Sequence, residues 1–382
     1  MESQKICIIG DGLAGLSTAV ILSQENVKID LYTGSNQKNK LKKDDRTTAL
    51  SESSYQFIKK KFDIKVNNIF WPCKEIKLFY EDKKTIINFL NFKEEKKNLM
   101  YIFKNNELKK KLTKQIKNNN NIKLIKKNIT SVDHINGNIL LSKKIFFYDL
   151  IILSIGGQSK LYQNITNGRI IEKNYNEIAL TATVNHNSKI NEVSQFFLKE
   201  GPLAILPFKK NMFSIVWSMS AIFFQQKNKS IKEVLIKKIK IITNNTKIKK
   251  ISHVKSFPIN LNLKTKYFKK NILILGDGLH TIHPMAGQGF NLVLRDIKKL
   301  SNLISETLKL GLSLKNSFIL KDFYETRKPE NIIVGIGIDL TNMFFKDNKY
   351  FSPIKKKILN NINNFKFIKK ISQIISDKGI IT

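Results

Sequence analysis

Short apolar runs, separated by glycines and by lysine-rich polar segments, set the pattern at the start of the chain. Lys5 to Ile9 and Val27 to Tyr32 have the length and composition of buried strands. The stretch between them, from Leu13 to about Gln24, has the length and composition of a helix. This order predicts a strand–helix–strand unit with parallel strands.

A similar change of pattern lies far along the chain, between Asn271 and Asp296. Ile272 to Leu275 predicts a buried strand, and a glycine-rich loop follows it. From Phe290 the pattern becomes helical, with a predicted apolar face of Leu292, Ile297, Leu300 and Leu303. Asp277 therefore lies at a strand tip, and the loop leads into a helix N-terminus. Free N–H groups and about half a positive charge at such a terminus suit a negatively charged ligand.

Between these two units the pattern predicts mostly strands. The predicted elements are a hairpin over Glu75–Phe89, a helix within Leu99–Ile116, and strands at Ile122–Ile125, Ile129–Val132, Ile139–Leu141, Tyr148–Leu153, Ile178–His186, Ser194–Leu198, Leu203–Phe208 and Phe213–Ser218. The two terminal units are expected to converge on one ligand.

The predicted domain division is therefore discontinuous. It assigns residues 1–74, 98–160 and 266–345 to a nucleotide-binding domain, 75–97 and 161–265 to a second lobe, and 346–382 to a basic amphipathic helical segment. In that last segment, Pro353 to Ile375 carries apolar residues at helical spacing with lysines between them. A surface helix and a helix packed on the domain edge both fit this pattern.

The charge of the chain is strongly positive, at +37 from 67 Lys and Arg against 30 Asp and Glu in 382 residues. Nucleic acid is the first partner that such a charge suggests. The lysines are spread along the chain among Asn and Ile, and no nucleic-acid motif stands out, so no nucleic-acid partner is predicted. Attraction to an anionic membrane surface is the weaker alternative.

The cysteine and hydropathy patterns point to a reducing compartment. Cys7 lies in an apolar strand, and with Cys73 it forms neither a disulfide framework nor a zinc spacing. No apolar run approaches the roughly 18 residues of a membrane span. The first residues lead directly into a predicted strand, so no signal peptide is expected. The expectations are no metal site and a cytoplasmic location, with peripheral contact to the inner face of the membrane as an addition.

The loop after the first strand carries G-x-G-x-x-G, in the strand–helix context of a dinucleotide fingerprint. Gly10 would permit the tight turn, Gly12 would let the backbone approach a pyrophosphate, and Gly15 would let helix and strand pack closely. Leu13 and Ala14 lie within the motif. The second strand ends in Thr33, where an acid usually binds the adenosine ribose. Thr33 either bonds the ribose through its hydroxyl or merely ends the strand.

The far motif, GDGLHTIHPMAGQGFNL, resembles the second FAD motif of flavin-dependent aromatic hydroxylases, in particular the ubiquinone-biosynthesis hydroxylases. In this loop His283, beside Pro284, either approaches the substrate ring, as a catalytic pair, or has only a structural role, and His280 is interpreted as structural. The resemblance also implies a set of cofactor-binding residues, namely Gly276, Asp277, Gly287, Gln288, Gly289, Phe290 and Asn291.

Further segments resemble the same family. Asp45 to Ser51 is similar to its D-x-R-x-x-A-L-S segment, which places Arg46 near the flavin; the alternative is a solvated loop arginine before a helix. Gly201 to Pro207 resembles a strand pair of the family's substrate domain, and Asp322 to Arg327 resembles a Y-x-x-x-R helix of structural role. One site departs from the pattern, because Gly156 replaces the acid of A-D-G-x-x-S.

The resemblance implies an α/β fold, in which a Rossmann-like FAD-binding domain carries an inserted antiparallel-sheet substrate domain. It implies an FAD-dependent monooxygenase that hydroxylates a polyprenylated phenol in ubiquinone biosynthesis. NAD(P)H is then the transient reductant, O2 the oxidant and a flavin C4a-hydroperoxide the oxygen donor. A flavoprotein reductase or halogenase on the same fold is one alternative. Another, kept open by Thr33 and Gly156, is a non-catalytic or weakly active FAD-binding subunit of a quinone-synthesis assembly.

Overall fold

The computed structural model describes residues 3–34, 46–62, 69–83, 85–141, 144–157, 159–166, 170–315 and 318–346, together with 359, 377 and 379. The first strands are β1 (Gln4–Ile9), β2 (Val27–Thr33), β3 (Thr47–Ser51), β4 (Trp71–Cys73), β5 (Glu75–Asp82), β6 (Thr85–Lys93), β7 (Met100–Lys104), β8 (Ile122–Lys126), β9 (Ser131–Asp133), β10 (Asn138–Leu141), β11 (Lys144–Phe147) and β12 (Leu150–Leu153). The later strands are β13 (Ile170–His186), β14 (Val193–Leu198), β15 (Gly201–Lys209), β16 (Met212–Ser220), β17 (Ile248–Ile251), β18 (Lys255–Lys264), β19 (Phe268–Lys269), β20 (Ile272–Ile274) and β21 (His280–Thr281). The helices are α1 (Leu13–Leu22), α2 (Glu52–Lys61), α3 (Asn105–Lys117), α4 (Gln163–Thr166), α5 (Ala221–Lys227), α6 (Ile231–Ile242), α7 (Gly289–Lys309) and α8 (Phe318–Phe345).

A six-stranded sheet in the order β19-β20-β12-β1-β2-β8 forms the first domain, which we call the parallel-sheet domain. Its pairs are parallel except β19 with β20. At the centre of the sheet, Ile6 lies opposite both Ile29 and Leu150. The strands are nearly continuous apolar runs, as expected for a parallel sheet buried on both faces. All six strands come from residues 1–74, 98–160 and 266–345.

A nine-stranded sheet forms the second lobe, together with α5 and α6. Its order is β21-β18-β13-β16-β15-β14-β5-β6, with β17 also paired to β13. The strands pair antiparallel except β14 with β5. They come from residues 75–97 and 161–265, apart from β21, which lies in the stretch between β20 and α7. This two-part α/β architecture is the fold class predicted from the sequence.

The long strand β13 carries an irregularity that matters for the site. Its pairing with β18 shifts register between Asn174 and Glu177, and Asn176 adopts a left-handed φ of 52°. Two residues of β13, Tyr175 and Asn176, therefore lie between consecutive paired positions of β18. Bulges of this kind bend a strand and redirect its side chains.

Several boundaries differ from the sequence expectation. The stretch Leu99–Ile116 contains its helix, α3, but only after strand β7. The segment at Asp322–Arg327 belongs to the much longer helix α8, which runs through Pro329. The amphipathic segment Pro353–Ile375 lies outside the described residues, apart from Leu359. Within the described ranges, no helix is both long and apolar enough to cross a membrane.

Helix α8 has two unlike faces in its second half. On the inner side, Gly335 packs so closely on β18 that a Cβ there would lie 2.7 Å from Leu263 Cδ1. On the outer side, four apolar residues are 39% to 57% exposed, namely Ile333, Ile336, Leu340 and Met343. No Lys or Arg occurs between Asn331 and Phe345. Asp339 lies beside this apolar face, where it pairs with Lys173 Nζ at 2.9 Å, and Lys173 also contacts Met343.

Candidate functional site

The turn between β1 and α1 shows three different uses of glycine. Gly10 has φ 127°, and a Cβ there would overlap the Ser154 carbonyl at the end of β12. A Cβ on Gly15 would overlap the carbonyl of Gly10. A Cβ on Gly12 would meet no atom within 4 Å among the described residues, apart from its chain neighbours. Gly10 and Gly15 are therefore required by close packing, whereas Gly12 borders open space beside the backbone.

The end of β20 lies against this turn. Gly276 has φ 78°, and a Cβ there would lie 2.7 Å from Ala14 Cβ in the first turn of α1. Asp277 follows and is exposed, and in the described part of the chain its carboxylate has no hydrogen-bond partner. The backbone of this acid is held, because its carbonyl accepts a hydrogen bond from Thr281 Oγ1 at 3.0 Å. A fixed backbone with a free carboxylate suits a ligand that donates hydrogen bonds.

Two other predicted binding residues lie at strand boundaries. Thr33 is half-buried at the end of β2 and pairs with Lys126 of β8. Arg46 is exposed immediately before β3, and its carbonyl accepts the Asn105 N–H at 3.0 Å. Leu13, in the first turn of α1, is partly buried. The structure thus gives the backbone positions of these residues. The roles of the Thr33 and Arg46 side chains in binding stay predictions.

Asn291 holds the loop that precedes α7 against the parallel-sheet domain. Its Nδ2 donates to the carbonyls of Gly287 at 3.2 Å and of Ala49 at 3.1 Å. Its Oδ1 accepts the Ser51 N–H at 3.0 Å. Gly287 has φ 62°, and a Cβ there would lie 2.9 Å from Ala49 Cβ. The buried Asn291 therefore anchors the loop to β3.

The N-terminus of α7 follows directly. Gln288 is the N-cap residue, and its side chain makes no capping hydrogen bond. A Cβ on Gly289 would meet nothing within 4 Å among the described residues, neighbours excepted. Phe290 is partly buried, and its ring lies 6.1 Å from that of Phe103. A helix N-terminus without a side-chain cap, beside open space, offers N–H donors to an acceptor on a ligand.

His283 lies at the other end of this loop and is 1% exposed. Its Nδ1 accepts the Met285 N–H at 3.2 Å, which leaves the ring proton on Nε2. Nε2 lies 3.0 Å from Glu177 Oε2, so it donates to that carboxylate. Both ring nitrogens are therefore bonded within the protein. Pro284, partly buried, continues the chain from His283 into the loop.

Glu177 joins three elements at this point. It lies on β13, it accepts from His283, and its Oε1 is 2.5 Å from Nζ of Lys346, just after α8. Burial acts to raise the pKa of Glu177, but the hydrogen bonds from His283 and Lys346 outweigh burial and hold this pKa below its usual value. Glu177 is therefore a buried carboxylate that is stable in its charged form.

A second buried network supports α7 from behind. Asp296 is 0% exposed; its Oδ2 lies 2.7 Å from His280 Nε2 and its Oδ1 lies 2.7 Å from Arg327 Nε. Asn331 donates to the same Oδ1 at 3.2 Å, and Arg327 also pairs with Glu330. Burial acts to raise the pKa of Asp296, but Arg327 and His280 outweigh it and hold this pKa low. His280 and the helix motif around Arg327 are structural, as expected.

Three residues of the site were missed by the sequence analysis. A sequence pattern could have identified Asp296, because this acid lies four residues from both Leu292 and Leu300, on the apolar face of α7. No sequence pattern marked Tyr162. Its hydroxyl bonds to the backbone of Ile155, and a Cβ on Gly278 would overlap this hydroxyl. No sequence pattern marked Glu177 either, since its partner His283 is 106 residues away.

The turn after β12 contains the departure at Gly156. A Cβ on Gly156 would meet no atom within 4 Å among the described residues outside its chain neighbours. A β-carbon would therefore have room there. A Cβ on Gly157, by contrast, would lie 3.0 Å from the Asp277 carbonyl and from Thr281 Oγ1.

These residues fit a dinucleotide with a polar ring system. Open space borders the backbone at Gly12 and Gly289, an acid without a partner lies at a strand tip, and α7 begins without a side-chain cap. All of these features lie on segments that contact one another around α1. Within the described ranges, no group of three or more His, Cys, Asp or Glu residues is placed to hold a metal ion.

Sequence comparison identifies related proteins. A family profile described as an FAD binding domain matches residues 154–312. The mitochondrial ubiquinone biosynthesis monooxygenase COQ6 of Dictyostelium discoideum is 28% identical over 208 residues, covering 45% of this chain and 42% of that protein. The 3-demethoxyubiquinol 3-hydroxylase of Escherichia coli K12 is 29% identical over 155 residues, or 40% of each chain. The match thus spans less than half the length of these relatives.

Solved structures show the same fold over nearly the whole chain. The p-nitrophenol 4-monooxygenase PnpA of Pseudomonas putida DLL-E4 superposes with a TM-score of 0.76 at 11% identity, covering 97% of both chains. HpxO of Klebsiella pneumoniae, solved with FAD and uric acid, gives 0.75 at 14% identity and covers 98% of this chain and 97% of that one.

The fold is therefore that of the flavin-dependent monooxygenases, and FAD is the cofactor for which the chain carries a matching domain. Among the sequence relatives are a ubiquinone biosynthesis monooxygenase and a 3-demethoxyubiquinol 3-hydroxylase, which confirms the resemblance predicted from the sequence motifs.

Proposed function

We propose that the protein binds FAD and hydroxylates the aromatic ring of a polyprenylated phenol, using NAD(P)H and O2, in ubiquinone biosynthesis. The observation that carries this proposal is the meeting of the two glycine motifs. The Gly276 turn lies against Ala14 of α1, although the two are 262 positions apart in sequence. Relatives named for ubiquinone biosynthesis support the pathway and the phenolic substrate.

Each part of the site has a distinct task in this proposal. The backbone at Gly12 approaches the pyrophosphate, and the Asp277 carboxylate accepts hydrogen bonds from ribitol hydroxyls. The N–H groups at the start of α7 stabilise negative charge on the flavin ring. FAD held by these residues would supply the redox chemistry, in which NAD(P)H gives two electrons, one atom of O2 enters the phenol ring and the other leaves as water. The protein orients the ring system and excludes water from it.

Oxygen consumption by the purified protein tests this function. With FAD and NAD(P)H present, a short-chain prenyl phenol is expected to stimulate O2 uptake, and labelled O2 should place one labelled atom in the product.

The Gly156–Gly157 turn lacks a carboxylate to organise a transient NAD(P)H site, so we expect slow flavin reduction. Gly156→Asp, whose β-carbon meets no described atom within 4 Å, should speed the reduction in stopped-flow measurements.

The outcomes of that experiment separate the candidate functions. O2 uptake without product would indicate a reductase or oxidase on the same fold. FAD binding with neither reduction nor uptake, in wild type and Gly156→Asp alike, would favour a non-catalytic subunit of a quinone-synthesis assembly. Protein that cannot be loaded with FAD at all would contradict the proposal.

The proposal includes peripheral contact with the inner face of a membrane, since a polyprenyl phenol partitions into lipid. Besides Pro353–Ile375, the outer face of α8 is a candidate surface, because four of its apolar residues are exposed and Lys328 and Lys346 lie at its two ends. Basic residues at the margins of an apolar patch suit an anionic bilayer.

Flotation with anionic liposomes tests the membrane contact. The double variant Ile333→Glu/Leu340→Glu is expected to lower flotation, because it places two charges on the apolar face. Ile222→Glu is the matched control, since Ile222 is 68% exposed but lies on α5 of the second lobe. Deletion of 353–375 gives the contribution of that segment. Equal flotation of all variants would assign the binding to the overall charge and contradict both surfaces.

A further inference from the structure

The loop between β21 and α7 is held at two points by two different parts of the molecule. Near its C-terminal end, Asn291 ties Gly287 to β3 of the parallel-sheet domain. Near its N-terminal end, His283 donates to Glu177 of the second lobe. The loop Pro284–Gly287 between these anchors leads directly into the N-terminus of α7. Its position therefore depends on both parts of the fold.

The second anchor is built by the irregularity in β13. The inserted residues Tyr175 and Asn176 precede Glu177, and both Tyr175 and Glu177 are buried against His283. The Tyr175 ring lies edge-on to the His283 ring at 5.4 Å and 89°. Because bulges redirect side chains toward functional parts of a structure, the shape of β13 at this point favours contact with the loop.

The contact between Glu177 and His283 depends on the charge and hydrogen bonding of both side chains. Glu177 is 7% exposed, and an unpaired carboxylate at that depth would be costly. Lys346 offsets part of this cost from the side of α8, while His283 supplies the other hydrogen bond. The His283 ring is then held in one tautomer, because its Nδ1 accepts from Met285 inside the same loop. The contact thus transmits the position of β13 to the loop backbone through one imidazole ring.

We propose that Glu177 is a positioning residue for the flavin: by accepting the Nε2–H of His283, it sets the Pro284–Gly287 loop and the N-terminus of α7 in the position that FAD binding requires. This inference rests on the proposed function in that FAD is taken as the ligand. It assigns His283 to loop positioning through Glu177, in place of the predicted approach of its ring to the substrate.

The state of the His283 ring is the readout that requires no catalysis. The chain has only five histidines, so selective ¹⁵N labelling should allow each ring to be assigned by NMR. We expect one protonated and one unprotonated ring nitrogen for His283 in wild type, with the proton on Nε2. In Glu177→Ala the Nε2 proton of His283 loses its acceptor, so the Nε2–H signal should move upfield and exchange faster with water, while the signals of His280 stay unchanged.

FAD affinity is the second readout, measured by fluorescence titration. Glu177→Ala removes the hydrogen bond that holds the loop, so the dissociation constant should rise, by up to about a hundredfold if the whole bond energy acts on the FAD-bound state. Glu177→Gln keeps an oxygen acceptor of the same length and should recover most of the affinity. Lys346→Met, which leaves His283 bonded, should have the smaller effect.

Glu172→Ala is the matched control, because Glu172 lies on the same strand but is exposed and bonds only to Asn262 among the described residues. Wild-type ring signals and FAD affinity in both Glu177→Ala and Glu177→Gln would overturn the inference. If Glu177→Ala fails to fold, Glu177→Met carries the test, because it keeps the length of the side chain but has no carboxylate acceptor. A shifted Nε2–H signal with weaker FAD binding supports the inference, and an unchanged ring with unchanged affinity contradicts it. Loss of hydroxylation with both readouts at wild-type values would instead bear on the proposed function.

Discussion

Replacement of Asp277 by alanine is expected to weaken FAD binding about ten- to a hundredfold, the range for losing a hydrogen bond to a charged acceptor. The carboxylate lies at the tip of β20 and has no partner among the described residues, so its hydrogen-bonding capacity is available to a ligand. Fluorescence titration of the apoprotein with FAD measures the effect.

The same variant contains its own stability control. Because the Asp277 side chain is exposed and bonds to no described residue, the unfolding midpoint of the apoprotein should not change. Asp277→Asn keeps an oxygen acceptor and separates the charge from the hydrogen bond. An unchanged FAD dissociation constant in Asp277→Ala would show that the carboxylate does not contact the cofactor.

The largest effect on stability is expected at Asp296. Its carboxylate is fully buried between His280 and Arg327, so Asp296→Ala leaves the buried Arg327 without this partner. Removing one member of a buried ion pair costs about 3–5 kcal/mol of unfolding free energy. Denaturant unfolding monitored by circular dichroism measures the loss.

Asp322→Ala is the control, since this carboxylate is 54% exposed and lies 3.6 Å from Lys299 Nζ. A change in unfolding free energy of at most about 0.5 kcal/mol is expected there.

The pH dependence of the unfolding free energy provides a further check. The lowered pKa of Asp296 means that its stabilising effect is fully present above its ordinary value of 3.8 and disappears as the pH falls through the lower folded-state pKa. Equal unfolding free energies for Asp296→Ala and wild type would show that the network is dispensable.

Local sequence signals predicted those parts of the site whose residues lie close together in the chain. The β1–α1 turn and the start of α7 each combine a strand, glycines and a helix within about 20 residues, so pattern and chemistry agree. The discontinuous parallel sheet followed from the two glycine motifs at distant positions. Asp296 was also within reach, because an acid on an apolar helix face requires a buried partner.

The contact between Glu177 and His283 was beyond the reach of the same reasoning. It depends on a register shift between β13 and β18, and no local pattern marks which residues of a long strand are displaced. At Pro329 a local sequence signal is present, but the structure does not follow it. Proline usually marks a helix boundary, yet α8 continues through it for sixteen further residues, to Phe345. There the apolar inner face, packed on β18, outweighs the local preference.

The order of strands in the parallel sheet also governs how the protein is made. β1 is complete at Ile9, whereas β20, two strands away in the same sheet, ends at Ile274. At synthesis rates of about 5–20 residues per second, the ribosome needs roughly 15 to 50 seconds to pass from one to the other. From the completion of β12 at Leu153 until β20 is made, β12 has an unpaired edge, and most strands of the second lobe are synthesised in that interval. The FAD site is thus a late product of folding, and nascent chains shorter than the start of α7 expose a sheet edge to chaperones and to one another.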